Sequence, residues 1–101
     1  MSPPRLTEPT LRVLGAVLSS GSEEISGSEI AGTTKLASGT LYPILLRLEQ
    51  AKWLKSRWEH ESPKELGRPR RRLYSVTALG AKSAKRAFEK VASAFGELAW
   101  Q

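Results

Sequence analysis

The chain has 101 residues, a formal net charge of +6 and a sequence pI near 10.1. Its length predicts one domain with a small core, and its charge favours a polyanionic partner, of which nucleic acid is the commonest. Cysteine, aspartate and asparagine are absent and His60 is the only histidine, which excludes disulfides, aspartate-based triads and Cys/His zinc sites.

The N-terminal third predicts an arm followed by two helices. Residues 1–7 carry two prolines and predict a flexible arm. A first helix is expected from Thr7 or Glu8 to about Gly21. Its apolar face carries Leu11, Leu14, Val17 and Leu18. Ser26-Gly27-Ser28-Glu29 fits a capping box, which predicts a second helix ending near Gly32 and a connector over 33–37.

A third helix is predicted from about Ser38 to Ala51. Its buried stripe, at 3–4 spacing, is Leu41, Ile44, Leu45 and Leu48. Pro43 lies close enough to the helix start to be tolerated. The opposite face is the candidate DNA-reading face and carries Thr40, Tyr42, Pro43, Leu46, Arg47 and Gln50.

Two strands and a final helix complete the chain. Alternation over Leu54–His60 predicts a strand, and Arg72–Thr77 is its expected partner, with a loop over 61–71. Three helices followed by a hairpin are the winged helix-turn-helix plan. We therefore predict a mainly α fold with a small β-hairpin, divided into an arm (1–7), a winged helix-turn-helix domain (8–77) and a C-terminal dimerisation helix (78–101).

The loop between the strands, the wing, is strongly basic. Between Lys64 and Arg72 five basic residues stand against one glutamate. Gly67 permits a tight turn, Pro69 stiffens the loop, and guanidinium groups match phosphate geometry. An ordinary solvated turn is the alternative, but concentrating like charge costs stability by self-repulsion. We therefore favour phosphate binding.

The predicted DNA contacts come from the third helix, its approach and the wing. They are Lys35, Ser38, Thr40, Tyr42, Pro43, Arg47, Lys64, Arg68, Arg70 and Arg71. For Tyr42, packing against the second helix as a half-buried aromatic is an equal alternative. For Arg47, a structural salt bridge with a glutamate is the alternative.

The final helix carries a narrow apolar seam with coiled-coil spacing, which predicts a two-fold dimer. Its predicted interface residues are Ala84, Phe88, Val91, Phe95 and Leu98. The alternative is a helix folded back on its own domain. Trp100 could stack on an aromatic effector, although a dimer contact is the simpler reading. Trp53 and Trp58 are expected in the core or at the base of the hairpin, and His60 in solvent.

The motifs resemble the PadR family of bacterial transcription regulators. The resemblance rests on Ser38-Gly39-Thr40-Leu41-Tyr42-Pro43, on Gly67-Arg68-Pro69-Arg70-Arg71 and on Thr77-Ala78-Leu79-Gly80. It implies a homodimeric, repressor-type regulator of the compact subgroup, with a single dimerisation helix and an effector of small aromatic or hydrophobic type. Two positions depart from the family pattern: Leu46, where a basic residue is common, and Lys52, where a helix-ending glycine is common.

The leading hypothesis is a cytoplasmic, sequence-specific DNA-binding regulator, a homodimer on a palindromic operator. The alternative is a winged-helix assembly module that docks its basic wing on an acidic protein. No signal peptide or membrane-spanning run is visible in the sequence. No nucleophile–base pair or phosphate-cradling glycine loop is visible either, so we expect neither enzymatic activity nor a cofactor.

Overall fold

The computed structural model describes residues 4–21 and 23–99, with side chains as far as Gly96. Its elements are α1 (Glu8–Ser19), β1 (Ile25–Ser26), α2 (Gly27–Thr34), α3 (Ser38–Gln50), β2 (Leu54–Trp58), α4 (Pro63–Leu66), β3 (Arg72–Val76) and α5 (Ala78–Ala99). The strands form one antiparallel sheet in the order β1-β3-β2. The predicted fold class, mainly α with a small hairpin, is confirmed.

The predicted helix starts of α1 and α2 are correct, because both depend on local capping. Thr7 caps α1 by accepting a hydrogen bond from the backbone of Thr10. Ser26 caps α2 by accepting from the Glu29 amide at 3.2 Å, and its hydroxyl donates to the Glu29 carboxylate. α2 continues to Thr34, two residues beyond the predicted end near Gly32.

Two short elements, β1 and α4, were not predicted from the sequence. β1 has only two residues, paired with Leu73 and Tyr74 of β3, so it is too short to show alternation. α4 is a single turn inside the predicted loop. Ser62 caps it by accepting from the Glu65 amide, and Gly67 ends it at φ 69°.

The end of α3 forms a glycine-type turn although its left-handed position is occupied by Lys52. Lys52 adopts φ 67°, the left-handed conformation that glycine prefers. Its amide donates to Glu49 and the Trp53 amide to Leu48, both at 3.0 Å. These two bonds form a Schellman motif. The turn that leads from α3 into the hairpin is therefore fixed, with a lysine in a strained position.

The core lies between α1, α2, α3 and one face of the sheet. The predicted stripe of α3 is buried throughout, with Leu41 and Leu48 fully inaccessible. Trp53 is 8 % exposed, as expected. Within the described part of the chain, no helix has the length and apolarity needed to cross a membrane.

The apolar seam of α5 is buried in its first half and exposed in its second half. This corrects the prediction that Ala84 lies at a dimer interface. Ala84 is fully buried in the subunit's own core, so it cannot contact a second chain as expected. Phe88 packs partly against the same core, with its ring beside Gly15 of α1. Only beyond this point is the seam open: Val91 is 36 % and Phe95 69 % exposed.

The predicted seam fails for Ala84 because a 3–4 repeat marks a buried face without saying what buries it. The molecule as a whole is elongated: it extends 59 Å along its longest axis and 27 and 23 Å along the other two. The Leu98 side chain and Trp100 lie outside the described residues.

Candidate nucleic-acid interface

An open cleft of about 560 Å³ brings together four of the ten predicted DNA contacts, namely Tyr42, Arg68, Arg70 and Arg71. The other six, Lys35, Ser38, Thr40, Pro43, Arg47 and Lys64, do not line it. Its walls come from Ser26–Ser28 at the start of α2, Tyr42 on α3, and Trp58 with Arg68–Arg72 on the wing. Residues of α3 and of the wing thus share one surface. This arrangement requires both the Schellman turn after α3 and the β2–β3 ladder, which together set the position of the wing.

Tyr42 packs against the second helix, as one of the two interpretations predicted, and also stays accessible. A side chain at Gly27 would begin 2.9 Å from the Tyr42 hydroxyl, so the tyrosine lies directly on the start of α2. Its side chain nevertheless remains 47 % exposed. Glycine at position 27 therefore lets the ring pack against α2, and Tyr42 also lines the cleft.

The predicted reading face of α3 is exposed along its whole length, from Thr40 to Gln50. Leu46 is 56 % exposed. Among the described residues Arg47 forms no ion pair with a glutamate, so the structural salt bridge considered for it is not present there. The reading face is available for contacts with a partner.

The start of α3 is unusually bare. Ala37 holds the cap position and supplies no side-chain hydrogen bond to the first amides of the helix. Ser38 and Lys35 beside it are exposed, and Lys35 turns the chain at φ 62°. Uncapped helical amides carry partial positive charge and bind anions. This end of α3 is therefore suited to a phosphate group.

Glu59 organises the wing. Its carboxylate accepts two hydrogen bonds from the Arg68 guanidinium, at 2.6 and 3.0 Å, and one from the Arg71 amide at 2.8 Å. The Glu59 side chain is 13 % exposed. The bonds from Arg68, and then that from Arg71, lower the pKa of Glu59 from 4.5 to about 2. Arg68 thus has an intramolecular partner that the sequence analysis did not foresee.

The other wing cations are more accessible. The Nε of Arg70 donates to the Glu61 carbonyl at 2.9 Å, and its side chain is exposed. Arg71 and Lys64 are also exposed. The backbone amide of Arg71 donates to Glu59 and so helps to fix the loop. The Arg71 side chain itself is exposed. The wing therefore presents cations on a loop whose shape is fixed from within.

Arg72 connects the wing to α3. Its Nε donates to the Ser56 hydroxyl at 3.0 Å, and its Nη2 lies 3.6 Å from the Glu49 carboxylate. The Ser56 hydroxyl donates in turn to Glu49. The guanidinium also lies 5.3 Å from the centre of the Trp58 ring. These contacts tie β2 and β3 to the last turns of α3.

Trp58 is not where it was predicted. The sequence placed it in the core or at the base of the hairpin, but it is 55 % exposed and pairs with Arg72 at the end of the ladder nearest the wing loop. Glu59 and Glu49 were not singled out at all. The one available signal for Glu59 was an acid directly before an arginine-rich loop.

Comparisons with known proteins agree with this architecture. The fold superposes on S. aureus MepR, solved in a DNA-binding conformation, with a TM-score of 0.69 and 18 % identity over 92 % of this chain. The chain spans 63 % of the MepR chain. The smu.1704 protein of Streptococcus mutans UA159 superposes with a TM-score of 0.66 and 28 % identity, over 92 % of this chain and 85 % of that one.

A third solved structure is the transcriptional regulator PcaV of Streptomyces coelicolor, in complex with its natural ligand. It superposes with a TM-score of 0.71 and 19 % identity, over 87 % of this chain and 57 % of PcaV. No curated protein sequence matches the chain. The family model for PadR-like transcriptional regulators matches residues 23–86, well over half of the sequence. The chain therefore belongs to the PadR-like family of transcriptional regulators and has a winged helix-turn-helix fold.

Proposed function

We propose that the protein is a homodimeric repressor that binds a palindromic operator in the cytoplasm. The observation that carries the proposal is the shared cleft, in which Tyr42 of α3 and the arginines of the wing face one surface. A helix in the major groove with a basic loop on the neighbouring backbone would use both parts at once.

In this proposal α3 reads base edges and its surroundings bind phosphates. Tyr42, Pro43 and Arg47 face the groove. Lys35, Ser38 and Thr40, together with the uncapped amides at the start of α3, bind one phosphate region. Arg70, Arg71 and Lys64 bind the backbone beside the wing. Arg68, held by Glu59, supports the loop and adds positive charge.

The dimer would form through the open half of α5. Val91 and Phe95 expose a large apolar surface, and Leu98 continues the same spacing. Pairing two such helices about a two-fold axis would bury this surface and place two copies of α3 on successive half-sites, about one helical turn apart.

The repressor would respond to a small hydrophobic or aromatic effector. An apolar groove of about 580 Å³ lies between α1 and α5, lined by Leu18, Phe88 and Ala92 among others. PcaV was solved with a ligand. Trp100 remains a candidate contact for such a molecule.

The test of DNA binding is to select bound fragments from the source genome and to measure their affinity at several salt concentrations. We expect recovered fragments to share a two-fold symmetric motif. Arg70→Ala and Arg71→Ala should each lower the salt slope by about 0.9, the value for one lost phosphate contact. Lys55→Ala, an exposed lysine on β2 outside the cleft, is the matched control and should leave the slope unchanged.

Other outcomes would contradict the proposal. Fragments without a two-fold motif would overturn the palindromic operator. A failure to retain any fragment would favour the alternative, an assembly module that docks its wing on an acidic protein.

A further inference from the structure

Trp58 is an apolar side chain in an unusual place. It is the last residue of β2 and is 55 % exposed, whereas Trp53, five residues earlier, is 8 % exposed. Leaving a large aromatic ring in water forfeits the free energy that its burial would contribute. Trp58 also lines the cleft that contains Tyr42 and Arg70, so whatever enters the cleft meets the indole.

The ring is held in one orientation before any ligand arrives. Trp58 and Arg72 are register partners in the β2–β3 ladder, and the Arg72 guanidinium stacks over the ring at 5.3 Å from its centre. Arg72 is fixed in turn by Ser56 and Glu49. An aromatic side chain fixed in this way loses little conformational entropy when it binds.

The charge around Trp58 identifies the partner. Glu49 partly balances Arg72, but the cleft also contains Arg70 and Arg71, both exposed. A polyanion with apolar surface between its charges fits such a wall. The backbone of duplex DNA has this chemistry, because deoxyribose rings alternate with phosphates.

We propose that Trp58 is a DNA-contact residue of the wing. Its indole N–H donates to a phosphate oxygen, and its ring packs on the adjoining deoxyribose of the strand that Arg70 and Arg71 neutralise. This inference rests on the proposed function. Because the contact is to sugar and phosphate, it contributes equally to all sequences.

The test compares three variants by anisotropy of a labelled duplex of arbitrary sequence at low salt. Trp58→Ala should weaken binding about tenfold, because it loses both the hydrogen bond to phosphate and the apolar surface that the ring buries on deoxyribose. Trp58→Phe keeps a ring but loses the N–H donor and should weaken binding about threefold. Leu79→Ala removes an apolar side chain that is 52 % exposed and lies outside the cleft, and it should change nothing.

The salt slope separates direct contact from an indirect effect. Trp58 is uncharged, so its substitution should lower affinity at every salt concentration and leave the slope unaltered. A reduced slope in Trp58→Phe would show that the indole serves to position the arginines, and would overturn the inference. In parallel, the fluorescence of Trp58 is obtained as the difference between the unchanged protein and Trp58→Phe. Acrylamide should quench this fluorescence in the free protein and quench it less in the complex.

Two further outcomes decide the matter. Equal affinity of Trp58→Ala and the unchanged protein, or equal quenching with and without duplex, would refute the contact. If the unchanged protein binds no duplex at all, including the selected genomic fragments, the proposed function itself fails.

Discussion

Glu59 shows how one carboxylate can shape a cationic loop. Its pKa is lowered from 4.5 to about 2 because the charged form is bonded to Arg68 and to the Arg71 amide, with the nearby charges of both arginines adding to the effect. A lowered folded-state pKa means that the stabilisation is fully present above about pH 5 and is lost as the pH falls from 4.5 towards 2. We expect the melting-temperature difference between the unchanged protein and Glu59→Gln to shrink over that interval.

The cause of the shift can be checked separately. Arg68→Ala removes its largest contribution, so the Glu59 carboxyl resonance should then titrate closer to pH 4.5 in an NMR experiment. A midpoint near pH 4.5 in the unchanged protein would show that the hydrogen bonds of Glu59 with Arg68 and the Arg71 amide do not form in solution.

Lys52 holds a left-handed conformation at a position where the resemblance predicted a helix-ending glycine. Its φ of 67° costs a non-glycine residue on the order of 1 kcal/mol. Lys52→Gly should therefore raise the free energy of unfolding by about 1 kcal/mol and the melting temperature by roughly 4–8 °C. The same change at Lys55, within β2, should destabilise the protein, because glycine weakens a strand. A fall in stability for Lys52→Gly would contradict the strain argument.

At the scale of elements, the junction between the hairpin and α5 depends on a close backbone contact. The Thr77 amide donates to the Trp53 carbonyl at 3.0 Å, and the Thr77 hydroxyl accepts from the Gly80 amide at 2.9 Å. A Cβ at Gly80 would lie 2.0 Å from that same carbonyl oxygen. The Thr77–Gly80 motif is therefore a packing requirement.

Gly80→Ala should destabilise the protein by about 3 kcal/mol, because the clash is with backbone that cannot rotate away. Gly32→Ala is the matched control: no atom lies within 4 Å of the new methyl group, and alanine favours a helix, so a gain of up to about 1 kcal/mol is expected. Urea unfolding measures both. Equal stability of the two variants would mean that α5 does not dock as described.

Elements with a local cause were predictable from sequence. The Ser26 cap and the buried stripe of α3 depend on neighbours within one or two helical turns, and both are confirmed. Features that depend on distant partners were not. β1 exists only through β3, Trp58 is held at the wing by Arg72, and Ala84 is covered by the subunit's own core. In each of these three cases the local sequence pattern does not reveal which distant part of the chain will pair with the residue or cover it.

At the scale of the whole molecule, the second half of α5 leaves apolar side chains exposed to solvent. A helix of 22 residues is about 33 Å long, and its first half suffices to complete the core. The second half exposes Val91 and Phe95 on a domain small enough to gain substantially from a partner. A second copy of the chain would cover these residues and join two wings and two reading helices.

Phe95→Glu tests this assembly. Burying one phenylalanine contributes about 1.5–3 kcal/mol, and a two-fold interface contains it twice, so the dimer dissociation constant should rise by a factor of at least about a hundred. Ser93→Glu, with the same new charge on an exposed position off the seam, should leave the dimer intact. Sedimentation velocity gives the mass of each variant. Because the two half-sites would then be bound independently, Phe95→Glu should also lose most of its affinity for a two-fold operator and little for a single half-site. A monomeric mass for the unchanged protein at micromolar concentration would contradict the dimer, because α5 would then not be covered by a second copy.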